Sequence, residues 1–304
     1  MAHNITKKFS NLSLSLRGSH RRIANDDYED VRRKVLGGLG DLYAMVLTSG
    51  DEYVTTSGSS DFHVQYEDLI LEDVDGQLTA DRRRFFLPCS YRFLEEHPVI
   101  TTGTGAMEET RVHEKVLVSS DELKNHPIKN ARFLCTWLGL NFSESWRANG
   151  KKLTSLMELT KWWPTDFAGL VDEEFKDAVL QDRTPMEAWH ILGDYPHLML
   201  TVAHKSDGRR EYLLRGELLT IAAVMISRLR SQRFAQHTVI PVMLFSFMGE
   251  KKGRIIQAHT NSRALVIRKS KLYDFSTVDN FRKFTTLFLR YMTCDAIGNT
   301  REIC

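Results

Sequence analysis

Nine cations crowd one part of the chain: Arg209, Arg210, Arg215, Arg228, Arg230, Arg233, Lys251, Lys252 and Arg254. Lysine and arginine at this density neutralise phosphates, and a surface built from them binds nucleic acid with steep salt dependence and little sequence preference. Arg228, Arg230 and Arg233 have a competing use, since they also solvate a helix end and complement its dipole. Trp162 and Trp163, next to Pro164 and near Lys151, Lys152 and Lys161, form a candidate stacking platform for bases. Paired tryptophans more often anchor a loop or helix on the core. His204 and Lys205 close an apolar run, and His259 falls where it could face His204 across a sheet. No HxH or HxxxH spacing turns these histidines into a metal site, and no GxSxG elbow marks a serine nucleophile. Gly37-Gly38-Leu39-Gly40 lacks both the phosphate-loop pattern and a preceding strand, so it reads as a turn or a packing device. The acidic stretch from Asp61 to Asp75 lacks calcium-loop spacing and reads as a solvated loop.

The elements that must position these residues are clearest between Pro196 and Asp274. The apolar pattern predicts a strand over 197–205, a long helix over 210–235, a strand over 239–248, and a hairpin with strands over 254–260 and 264–275 turning at Asn261-Ser262. Val239 to Met248 is nearly continuous apolar sequence, as expected for a strand covered on both faces, and Pro241 delays its entry into the sheet. Ser276 is the expected cap of a last helix whose buried face runs through Phe281, Phe284, Phe288 and Tyr291. Earlier in the chain, helical spacing predicts helices over 28–47, 130–140 and 171–180, a strand over 107–119, and a helix from Ser120 that ends before Pro127.

Composition sets the outer bounds. With 304 residues, 42% hydrophobic and 26% charged, the chain can bury a sizeable core. The net charge of +2 hides an asymmetry: residues 196–304 carry 18 Lys/Arg against 8 Asp/Glu, leaving 23 against 31 for residues 1–195. Such a division implies an anionic partner or complementarity between the two parts. The four cysteines form no CxxC pair, which with no secretory leader points to free thiols and an intracellular setting, cytoplasm or nucleus. Residues 1–25 have the basic, acid-free composition of a mitochondrial presequence, but their short apolar face reads better as a disordered basic tail. No apolar run approaches the roughly 20 residues needed to cross a bilayer, so no membrane partner is expected.

The order of strands and helices after residue 172 resembles the core of the PD-(D/E)XK nuclease-like superfamily. In that family an acid on one strand and a (D/E)-x-K triplet on the next hold Mg²⁺, and the lysine helps position the attacking water. The triplet position here reads Ala203-His204-Lys205: Lys205 matches, and Ala203 stands where the second metal-binding acid belongs. The resemblance offers Glu187 or Asp194 as the first acid and Glu217 as a migrated ligand. Hard Mg²⁺ needs such oxygen donors to make a water nucleophilic. The phrases FSFMG, GRIIQAH and RKSKLYDF also resemble fungal proteins with no assigned activity.

The expectation is an α/β (α+β) fold with a small mixed sheet in residues 185–275 and a long crossing helix. A basic tail (1–25) and a mostly helical region (26–171) precede a nuclease-like module (172–304). Functionally, three readings are carried forward. The first is a catalytically degenerate module that binds nucleic acid or protein through Arg209, Arg210, Arg215, Arg230, Arg233, Lys251, Lys252 and Arg254, without a cofactor. The second is an accessory protein with no nucleic-acid role, and the third an active Mg²⁺-dependent nuclease using Lys205, Glu187 and Glu217, with Glu187 and Asp194 as metal ligands.

Overall fold

Strands that are apolar at every position need cover on both faces, and this chain supplies it with two layers of helix. The computed structural model describes residues 28–54, 63–71, 85–100, 126–150, 152–180 and 183–301. In chain order the helices are α1 (28–49), α2 (Tyr91–Glu96), α3 (Pro127–Ser143), α4 (Glu173–Leu180), α5 (Arg215–Arg230) and α6 (Val278–Met292). The main sheet contains β1 (His63–Asp68), β2 (Trp162–Thr165), β3 (Arg183–Ile191), β4 (Leu198–His204), β5 (Val242–Met248), β6 (Lys252–Thr260), β7 (Ala264–Lys269) and β8 (Tyr273–Asp274). The fold is mixed α/β, as the sequence predicts.

The strands lie in the order β1-β7-β6-β5-β4-β3-β2, with β8 pairing on β6. The pairs β4–β5 and β1–β7 are parallel, and the other pairs are antiparallel. Side chains alternate across the pleat. Leu198, Leu200, Val202, Val242 and Leu244 therefore face α5, α1 and α4, while Met199, Ala203, Met243, Phe245 and Phe247 face α3 and α6. Helix α5 is buried almost all round because the sheet lies on one side and α1 and α4 on the other; Ile221, Ala222 and Met225 are wholly inaccessible.

The predicted elements hold with shifted ends. The long helix shortens to Arg215–Arg230 because residues 205–212 form the loop that leads into it, and β5 begins after Pro241, whose carbonyl accepts the Leu198 N–H at 3.0 Å. Asn261 makes the hairpin turn by accepting the N–H groups of Arg263 and Ala264. Helix α6 is capped by Thr277, which accepts the Asn280 N–H, one residue later than the sequence suggests.

Two expectations are corrected. The sheet extends beyond residues 185–275, because both outer strands, β1 and β2, come from earlier in the chain. The acidic stretch is not merely a solvated loop: His63–Asp68 is a strand paired in register with β7, and Glu67 meets Arg268 at 3.3 Å. Its pattern escapes notice because the partner that orders it lies about 200 residues downstream, so no local signal marks it. The basic tail, the strand over 107–119 and the helix from Ser120 lie outside the described residues.

Candidate functional site

The four residues offered as a metal centre are placed apart. Lys205 is exposed at the end of β4. Asp194 lies before the start of the same strand, about 20 Å away for seven residues of extended chain. There it accepts from His237 at 2.8 Å and pairs with Arg301, while the other imidazole nitrogen of His237 lies 2.6 Å from the Thr300 hydroxyl. Hydroxyl, imidazole and carboxylate thus form a row. The Thr300 carbonyl also takes the N–H groups of Thr238 and Val239, so the row clasps the 299–301 segment to the body.

Glu217 lies on the α5 side of the sheet and is fully buried. Its Oε1 accepts from Arg254 Nε at 2.8 Å, and its Oε2 accepts from the second arm of Arg254 and from the Leu214 N–H at 2.7 Å. Burial pulls this carboxyl upward in pKa, but the charge and hydrogen bonds of Arg254 outweigh it and hold the group below its ordinary value. Arg254 spends its remaining donors on the carbonyls of Arg209 and Tyr212. It is therefore the internal tie that holds the 205–212 loop, which corrects its place among the phosphate-binding residues. A nine-residue strand buried from its second position onward has no exposed site for it.

The other expected phosphate contacts are largely occupied too. Arg215 caps α1 by donating to the Val46 and Leu47 carbonyls at 2.9 and 2.5 Å. Arg230 bridges Asp172 and Glu174 at 2.9 and 2.6 Å, Arg233 donates to the Gly193 carbonyl, and Lys252 pairs with Glu250. Arg209 lies over the Tyr53 ring at 4.2 Å. Lys251 sits in the β5–β6 turn with φ 58°, and Arg210 is exposed. The set is also split, because Arg215 and Arg230 stand at opposite ends of α5, about 22 Å apart along its axis. Trp162 is buried and donates to the Cys294 carbonyl at 2.8 Å, so only Trp163 presents a face to solvent. His259 packs on Phe85 at 4.9 Å, at the opposite end of the sheet from His204.

Glu187 opens on a cavity. Strand β3 slips register at Met186, where Pro185 faces Val202 and Glu187 faces Thr201, a bulge that re-aims the side chains around it. The Glu187 carboxyl is thereby turned toward α3 and rests on the backbone at Gly139, where a Cβ would overlap it. It lines a cavity of about 500 Å³ whose walls include Trp189, Phe167, Met186 and Met157, with Ser143 and Glu144 on the α3 side. Burial, then the Glu144 charge, pushes its pKa up to about 7, with no hydrogen bond to lower it. Beside it, burial and the Glu187 charge drive the Cys135 thiol well above its usual range, which makes it a poor nucleophile. The sequence carries one sign of this site, the Pro185-Met186 interruption within a strand; the seat at Gly139 has none.

Among the described residues no group of three or more His, Cys, Asp or Glu is placed to hold a metal ion, and no helix is long and apolar enough to cross a membrane. What the fold and cavity define is a mixed α/β chain with a half-buried carboxyl that takes no donor from the described residues. No family model, curated protein or solved structure matches the chain.

Proposed function

We propose that the chain is a non-catalytic interaction module on a nuclease-like frame, which takes the guanidinium or ammonium of a partner protein's side chain into the Glu187 cavity. The observation that carries this reading is the Glu187 carboxyl itself. It is held against Gly139, lines a cavity with apolar walls and receives no donor from the described residues. An arriving cation supplies the missing donor and charge, and Trp189 and Phe167 cover the aliphatic stem. The non-catalytic part rests on Ala203, fully buried where the nuclease triplet needs an acid, and on Glu217, whose oxygens are committed to Arg254. The basic half spends much of its charge internally, on Asp172, Glu174 and Glu67, which favours a protein partner over nucleic acid.

Calorimetric titration with a short arginine peptide and its uncharged citrulline counterpart tests the reading. Only ionised Glu187 attracts a cation, so affinity rises with pH through about 7. The arginine peptide is expected to bind about tenfold more tightly at pH 8 than at pH 6, as the carboxylate fraction grows. Glu187→Gln removes both the preference for arginine and its pH dependence. Equal binding of the two peptides sinks the proposal. Salt-sensitive binding of a DNA duplex, weakened by Arg210→Ala and untouched by Glu187→Gln, would favour the nucleic-acid reading instead.

A further inference from the structure

A second cavity, of about 310 Å³, opens between α2, α3 and α6. Its apolar walls include Trp137, Phe281, Leu94 and Leu289; Asn141, Thr285 and Thr286 add polar edges, and Arg282 stands exposed at the rim. At its margin lies Arg147, first residue of a short strand, only 5% exposed. Its Nη1 donates to the His97 carbonyl at 3.0 Å, and its Nε has no acceptor. Burial lowers its pKa to about 10, and no carboxylate of the described residues contributes. Glu95 also lines the cavity, yet it is exposed and exerts no resolved effect on the guanidinium.

Arg254 shows how this fold treats a buried guanidinium when its purpose is structural: a facing carboxylate and two carbonyls satisfy it. Arg147 has one carbonyl. Burying a charge without a counter-charge is destabilising by several kcal/mol, and arginine does not escape by losing its proton near neutral pH. A structural cation would be neutralised from within, whereas one at the edge of a cavity can be neutralised from outside.

We propose that this cavity binds a small organic anion, a carboxylate on a flat or short apolar body. The carboxylate sits against Arg147, and the body lies between Trp137 and Phe281. Inorganic phosphate fits less well, because the apolar walls leave part of its charged surface without donors, whereas they suit the body of an organic anion. The volume is at the lower end of the range of about 300–1,000 Å³ for small-molecule sites, which suits one ring or a short chain. Helix α3 separates this cavity from that at Glu187, so the two sites take ligands of opposite charge independently.

The test uses the full chain and the probes benzoate, trans-cinnamate and octanoate, each paired with its neutral amide, titrated by calorimetry. At least one carboxylate is expected to bind tenfold or more tighter than its amide, the difference that a charge-assisted contact of about 1.5–3 kcal/mol produces. Arg147→Met abolishes that preference while melting no lower than wild type, because it removes an unneutralised buried cation. Arg147→Lys, which keeps the charge but loses the planar fork, falls between the two. The proposal is overturned if no carboxylate of the set binds, if carboxylate and amide bind alike, or if Arg147→Met keeps the preference. Should Arg147→Met fail to fold, the comparison of carboxylate with amide on wild type decides. A role limited to holding the His97 carbonyl would lower the melting temperature of Arg147→Met without any carboxylate preference in wild type.

Discussion

Arg254 and Glu217 show what a single residue's surroundings decide. Lys251, Lys252 and Arg254 read as part of a basic set where a hairpin strand starts, and two of these three cations do lie in or beside the β5–β6 turn. Arg254 differs because β6 begins at Lys252, two residues before the predicted start, which carries position 254 into the interior. Its carboxylate partner lies 37 positions away on α5, a pairing that no local spacing announces. Glu217→Ala leaves the guanidinium buried and unpaired, and we expect a loss of about 3–5 kcal/mol in denaturant unfolding. Replacing both partners, as Glu217→Leu with Arg254→Met, should recover most of that loss. A double variant no more stable than Glu217→Ala would show that the ion pair is not the source of the cost.

Helix α3 shows the same division between legible and hidden at the scale of an element. Its apolar spacing over 130–140 announces a buried helix, and the structure extends it to Pro127–Ser143. What the pattern does not disclose is that two of its faces serve different cavities. Trp137 and Asn141 are one turn apart and border the Arg147 cavity, while Gly139 and Ser143 are one turn apart toward Glu187. Glycine inside a helix costs about 1 kcal/mol against alanine, so propensity alone says that Gly139→Ala stabilises. The new Cβ would take the place of the Glu187 carboxyl, but that carboxyl is the far end of a flexible side chain beside an open cavity and can swing aside into it. We expect Gly139→Ala to stabilise by about 0.5–1 kcal/mol in urea unfolding. A destabilised single variant, rescued by adding Glu187→Ala, would mean that the carboxyl is held in its seat.

At the scale of the molecule, the layered α/β class could be read from strand and helix patterns, but the reach of the sheet could not. The predicted boundary at residue 172 follows the strongest apolar periodicity, whereas β1, β2, α1 and α3 precede it and pack into the same two cores as the strands and helices beyond it. Those elements carry weaker patterns because much of their order comes from distant partners rather than from neighbours in the chain. A fragment of residues 172–304 lacks α1 and α3, so one face of the sheet is stripped of α3 and the outer side of α5 loses α1. We expect it to give no cooperative unfolding transition and to aggregate on size-exclusion chromatography, while the full chain elutes as a folded species. A monomeric fragment with native near-ultraviolet circular dichroism would refute this.

The parallel pairing of β1 with β7 also imposes a schedule on biosynthesis. Residues His63–Asp68 leave the ribosome about 200 residues before the strand that orders them, Ala264–Lys269, an interval of about 10–40 s at 5–20 residues per second. Through that interval the early strand has no ladder to join. The exposed strand through that interval is β1 itself, and its unpaired N–H and C=O groups are a template through which two nascent copies of this chain can stick together.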